Sequence, residues 1–546
     1  MCLEKFDYII VGAGSSGATL AHRLAKQPGI RVLILEAGPS DASLKIKVPL
    51  GYGSLFYDEK FNWKYTTESE PELFGRKVYW PRGKVLGGSS AINAMVYVRG
   101  HPNDYAEWSQ VAPDWGWSNV LPYFKRMERW SGPESSLRGT TGNINVSSME
   151  NSAHWLTKKY LEAGQQLGFM YNDDYNGEKM EGVSVYQTTT FKGQRVSAAT
   201  AYLSNGKRPK NIKVETNAHV KEILFDGPRA IGIRYQKGQT QFTAFTIGEI
   251  ILSAGALNSP HLMMLSGLGP GQELKSNGIN IRKDIQDVGA NLQDHFGVDF
   301  TLKVNRPSLN QKLRPYLGKL LVGLEYLFLR SGPLAMSLNQ GGGFVKSKDT
   351  KQWPDLQLYF SPMSYSTAPH EKRPLMSPDP YPAVRLGFNP TKPTSTGRVR
   401  LQNGDPLASP MFYGNYLSTD EDKETMLTGM HLMRRFLKTG AMKQIVTEEL
   451  SPGMHVNSDV ALLNFARNEG GTVFHQCGTC RMGRDSSNSV VDQRLRVHGI
   501  DRLRIVDASI FPTIPTGNTN APAIMVGEKA GDIILEDFKR LGPVRW

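Results

Sequence analysis

The feature that most constrains this chain lies near its start. Tyr8–Val11 is a short aromatic and β-branched run, the pattern of a buried strand, and Gly12-Ala13-Gly14-Ser15-Ser16-Gly17 follows at once. Ala18–Leu24 then reads as helix and Arg31–Leu35 as a second strand, ending at Glu36, 19 residues beyond Gly17. Strand, GxGxxG, helix, strand and acid in this order define a dinucleotide-binding unit. Gly12 permits the tight turn, Gly14 lets a pyrophosphate approach the backbone, and Gly17 lets helix and strand pack closely. Ser15 and Ser16 open the helix, whose first N–H groups are oriented toward phosphate. Glu36 is placed to accept hydrogen bonds from the hydroxyls of an adenosine ribose. On these residues alone, NAD and FAD both remain open.

At 546 residues the chain has room for three or four domains of roughly 150 residues each. Hydrophobic residues make up 39% and charged residues 21%, which excludes charge-driven disorder over most of the length. Three cysteines exclude a disulfide-stapled scaffold. The net charge of +13 asks for an anionic partner. There is no basic stripe, helix-turn-helix or RNA-binding motif, so nucleic acid is not expected. No apolar leader precedes the first strand. The best membrane candidate, Leu317–Leu329, contains Lys319 and Glu325 and is far shorter than about 20 apolar residues. It is expected to form an amphipathic helix near a domain surface. Cytoplasmic residence, at most with peripheral membrane association and without a transmembrane segment, is the expectation.

The texture changes along the chain. Ile212–Glu215, His219–Phe225, Ala230–Tyr235 and Phe245–Leu252 are strands joined by short polar turns, which predicts a β-meander. From about Phe296 to Leu450, Trp, Tyr, Met and Pro are frequent and no nucleotide motif occurs. Strand-like sequence returns at Leu503–Val506, and a helix begins near Ala521. Two interleaved domains fit this pattern better than a string of separate ones.

Several later segments resemble the glucose–methanol–choline (GMC) family of flavin oxidoreductases. They are Gly83-Lys84-Val85-Leu86-Gly87-Gly88-Ser89-Ser90-Ala91-Ile92-Asn93, Gly255 to Gly269, Val288-Gly289-Ala290-Asn291-Leu292-Gln293-Asp294-His295, Phe474 to Gly483, and Arg504 to Ser509 followed by Asn518-Thr519-Asn520-Ala521-Pro522. The stretch from Gly323 to Phe344 is similar to bacterial choline-dehydrogenase-like and sorbose-dehydrogenase-like members. The resemblance implies an α/β fold, with a Rossmann-like FAD domain of residues 1–155, 200–295 and 465–546. A substrate domain of residues 156–199 and 296–464, built on an antiparallel sheet with helices, would be interleaved with it. It implies that Arg82, Gly83, Leu86, Gly87, Gly88 and Ser89 contact FAD, and that Asn93, Ala94, Met95 and Val96 run along the isoalloxazine. Val220 would meet adenine through its backbone, Asp507 and Ala508 the ribityl–pyrophosphate portion, and Asn518 and Thr519 the flavin. Some members carry FAD on a histidine two residues after the Ser-Ser pair. Here that residue is Ile92, which implies non-covalent FAD.

The implied activity is oxidation of an alcohol, a primary alcohol or polyol, to the aldehyde or ketone. Such a reaction needs a base for the hydroxyl proton while a hydride passes to flavin N5. Among eleven histidines, His475 stands in the segment that resembles the family's active-site strand. Asn520 is the expected partner, its amide stabilising the developing alkoxide. O2 or a quinone is the expected electron acceptor. Cys477 and Cys480 have too few companions for a zinc site, so buried inert thiols and no metal are expected. The alternative within this fold is a hydroxynitrile-lyase-like enzyme with non-redox FAD.

Overall fold

A computed structural model describes residues 5–204, 206–365 and 377–541. Cys2 and His370 lie outside the described residues. The chain opens as expected: β1 (Lys5–Val11), α1 (Ser15–Ala25) and β2 (Val32–Leu35). β1 and β2 pair in parallel, Tyr8 opposite Val32 and Val11 opposite Leu35. All four residues of β2 are buried, because layers cover both faces of this sheet.

The first sheet runs Ile212–Glu215, β2, β1, Thr240–Leu252, Arg229–Lys237, His219–Asp226, and Leu503–Ile505 pairs in parallel with the end of Thr240–Leu252. Only the last three strands of the row form the expected meander. Ile212–Glu215 instead pairs in parallel with β2, Ile212 against Val32. Alternation reports which face of a strand is buried and says nothing of its neighbour, so the meander was overextended by one strand. The second sheet orders Val446–Ser451, Phe296–Val304, Ala383–Pro390, Leu356–Ser361, Gly341–Val345 and Gly182–Val185, antiparallel throughout. This is an α/β architecture with a second, antiparallel sheet.

The C-terminal helix Asn520–Leu541 packs on α1. Contact at Gly527 is so close that a Cβ there would lie 2.6 Å from the Ser16 carbonyl oxygen. The amphipathic helix expected at Leu317–Leu329 forms over Tyr316–Leu329, but its solvent side is apolar as well. Val322 and Tyr326 are buried, whereas Leu320, Leu327 and Phe328 are 57%, 60% and 76% exposed. Among the described residues no helix is long and apolar enough to cross a membrane.

Candidate active site

Between the two sheets lies a cavity of about 1840 Å³. One end is the β1–α1 turn. Gly12 has φ +101°, a region most side chains avoid, and a Cβ there would fall 2.4 Å from the Ser253 carbonyl oxygen. The first turn of α1 has no side-chain cap, leaving its N–H groups free for an anion. Glu36 is buried, with Oε2 accepting from the Ala13 N–H at 3.0 Å and Oε1 from the Gly38 N–H at 2.9 Å. Burial pushes its carboxyl up to about 7, against the lowering effect of those two bonds. Ser15 Oγ donates to Asn520 Oδ1 at 2.7 Å, joining the two ends of the chain at this turn.

The middle of the cavity is a loop laid against that turn. Gly88 faces Gly14 so closely that a Cβ on Gly88 would sit 2.8 Å from the Gly14 Cα. Asn93 Oδ1 accepts from the Met95 N–H and from Arg195 Nη1, which fixes the segment along the cavity wall. Met95 has φ +66°, a strained backbone for a side chain of its size. Asp507 caps the residues that follow it through the Ser509 N–H, and also accepts from the Gly255 N–H and Ser259 Oγ. One buried carboxylate thereby joins the C-terminal strand to the helix Gly255–Leu265.

The far end holds His475. Its backbone N–H donates to Asp294 Oδ1 at 2.8 Å, and Phe474 before it has φ +70°. Asp294 Oδ2 also accepts from Tyr416 Oη at 2.6 Å and Gln476 Nε2 at 2.7 Å. The ring is held at both nitrogens. His295 Nδ1 is 2.9 Å from His475 Nδ1, and His295 Nε2 is 2.9 Å from the Thr391 carbonyl oxygen. A carbonyl can only accept, so His295 Nε2 carries its proton. Burial holds His295 down to about 4, keeping that ring neutral, so its Nδ1 must accept. His475 therefore donates from Nδ1, and its Nε2 carries the lone pair as an acceptor. Burial above all, with the neighbouring His295 and Arg82, holds His475 well below the usual histidine range. Asn518 Nδ2 lies 2.9 Å from that Nε2, while Asn518 Oδ1 accepts from Gln357 Nε2 at 3.1 Å. The Gln357 bond turns the amide so that its NH2 faces the histidine.

The cavity gathers His475, Glu36 and Val220, the Gly12–Ser16 turn without Ala13, and Asn93 to Val96 of the expected site. Arg82, Gly83, Gly88, Ser89, Asp507, Ala508, Asn518, Thr519 and Asn520 also line it. Gly17, Leu86 and Gly87 do not. A Cβ on Gly17 would strike the Gly12 carbonyl oxygen, and the Leu86 and Gly87 N–H groups bond Pro39 and Ala13 carbonyls, so these three support the wall from behind. Of the two asparagines, it is Asn518 that pairs with His475, whereas Asn520 was the expected partner of the substrate oxygen. Asn520 opens the C-terminal helix, lines the same cavity and is bonded to Ser15. Sequence reasoning also passed over Asp294 and His295. Both stood in the Val288–His295 segment, whose use was confined to the family resemblance. Cys477 and Cys480 are fully buried, and burial pushes both thiols up.

The donor set fits FAD. Arg82 Nη1 donates to the Phe474 carbonyl at 2.9 Å, while its buried Nη2 has no partner among the described residues, an open donor at the cavity wall. Ile92 at the wall offers no atom for a covalent link. A dinucleotide turn at one end and a buried histidine at the other fit a flavin-dependent oxidoreductase acting on CH–OH groups. The chain belongs to the GMC oxidoreductase family, whose N-terminal and C-terminal profiles match residues 6–297 and 393–527. It is 40% identical over 541 residues to alcohol dehydrogenase (acceptor) of Pseudomonas putida, spanning 97% of this chain and 96% of that protein. It is 39% identical to mitochondrial choline dehydrogenase of Homo sapiens, spanning 97% and 90%. The structure superposes on pyridoxine 4-oxidase from Mesorbium loti with a TM-score of 0.87 at 28% identity, covering 97% and 99% of the two chains. These relatives are oxidoreductases, and the lyase alternative finds no support among them.

Proposed function

We propose that the protein oxidises a primary alcohol or polyol to the aldehyde or ketone, with FAD held non-covalently and reoxidised by O2 or a quinone. Bound FAD supplies the hydride acceptor, flavin N5. His475 Nε2 takes the hydroxyl proton, and the Asn518 amide donates to the oxygen as negative charge develops there. Glu36 holds the adenosine ribose, and the α1 N-terminus with Gly14 and Gly88 receives the pyrophosphate. The observation that carries this reading is a buried, neutral His475 whose Nε2 lone pair is turned to the Asn518 amide at 2.9 Å, the donor whose place a substrate hydroxyl would take.

His475→Ala is expected to keep its flavin and to lose two to four decades in the rate of anaerobic flavin bleaching by alcohol, roughly the contribution of a positioned base. Loss of FAD together with activity would instead give His475 a structural role. Oxygen uptake compared with quinone reduction in the same assay separates the two acceptors.

A further inference from the structure

The helix Tyr316–Leu329 carries the densest run of exposed large apolar side chains among the described residues. Tyr316, Leu317, Leu320, Leu321, Leu324 and Phe328 all face solvent, at positions three and four residues apart. A contiguous apolar face of this kind on a folded protein marks an interaction site. We propose that this helix is a docking surface for an anionic lipid bilayer, lying in the plane of the headgroups with its apolar face inserted.

Length decides between lying and spanning. Fourteen residues make a helix of about 21 Å, short of the roughly 30 Å of a hydrocarbon core. Charge decides between lipid and a second copy. Lys312, Arg314 and Lys319 are exposed at the start of the helix. At its other end the turn at Lys192 and Gly193 packs against it, a Cβ on Gly193 lying 2.1 Å from the Arg330 carbonyl oxygen. That turn carries exposed Phe191 and Lys192. Arg195, two residues on, donates from Nε to the Ile46 carbonyl at 3.0 Å, in a neighbouring segment that exposes Leu44 and Lys47. Of the nearby acids, Glu325 accepts from Ser331 Oγ, Asp58 is paired with Lys45, and Asp41 offsets Lys47, which leaves Lys192, Lys312, Arg314 and Lys319 as the cations counted toward lipid. Apolar side chains ringed by lysine and arginine match anionic headgroups over acyl chains. Two copies meeting on this face would oppose their lysines, on chains that each carry +13.

The inner side of the helix gives the location meaning. Val322 packs with Leu309 and Leu313 in a buried cluster that also contains Tyr52 and Met95 of the cavity wall. Docking there sets the cavity directly above the bilayer. The proposal concerns binding to lipid and stands apart from the assignment of the base.

The test is flotation of the FAD-loaded protein with vesicles of equal parts phosphatidylglycerol and phosphatidylcholine, beside vesicles of phosphatidylcholine alone. The wild-type protein is expected to bind the anionic vesicles about tenfold more tightly, since each surface lysine adds several-fold. Leu320→Glu with Phe328→Glu should abolish flotation while leaving flavin content and turnover of a water-soluble alcohol unchanged. Lys192→Glu with Lys319→Glu should bring anionic vesicles down to the level of neutral ones, on an undisturbed apolar face. Absence of wild-type flotation overturns the proposal, as does equal flotation by the Leu320→Glu/Phe328→Glu protein. A wild-type dimer without lipid that this double variant converts to monomer would assign the face to a second copy and likewise overturn it.

Discussion

A histidine can act as a base only while one nitrogen keeps its lone pair, and His475 is constrained to do so by a relay that starts at a backbone carbonyl. The Thr391 oxygen fixes the His295 tautomer, and His295 fixes that of His475. In its proposed role as base His475 works unprotonated, and it is held below the ordinary value of 6.5, so flavin reduction should stay level as pH falls through 6.5 and decline only at lower pH. The pH profile of the reductive half-reaction checks this, and an acid limb at or above 6.5 would sink it. The two asparagines give a second test at this scale. Asn518→Ala should slow flavin reduction by about two decades, the scale of a lost oxyanion donor. Asn520→Ala should leave that rate within a few-fold. The reverse ranking, measured by stopped-flow, would restore Asn520 to the site. The place of His475 in the cavity was legible in the sequence because its neighbours carry a family pattern. The Asn518 assignment was not, since two asparagines two residues apart differ only in where the helix starts.

At the scale of elements, the cofactor end rests on close contact between two loops that are distant in sequence. Gly88 has φ +54° and approaches Gly14, so Gly88→Ala brings both backbone strain and a collision. We expect this variant to lose about 1–3 kcal/mol of stability and most of its flavin, read as melting temperature and absorbance. An unchanged flavin content would show that the loops do not cradle the cofactor. The strand–turn–helix–strand unit was legible because period, glycines and acid all agree. The partner of Ile212–Glu215 was not, because a strand's own residues do not record which edge it joins. For Tyr316–Leu329 the sequence predicted the helix, yet not the apolar side turned to solvent, because exposure depends on what the rest of the fold leaves uncovered.

At the scale of the whole molecule, two sheets enclose one cavity, and the chain enters its walls from segments hundreds of residues apart. The sequence leads one to expect two interleaved domains, because motif-bearing segments flank a motif-free stretch. The excess of positive charge had no sequence-level explanation. Part of it, Lys312 and Lys319, stands exposed at the start of the apolar helix proposed to meet lipid. The hydrogen bond from Ser15 to Asn520 has a consequence for the making of the protein. Turn and helix meet across 505 positions, so the phosphate end of the site is complete only after nearly the whole chain has been synthesised. Cofactor capture is therefore a closing event of biogenesis. A ribosome that stalls before the last helix releases a chain that has its nucleotide fingerprint and nothing to close over it.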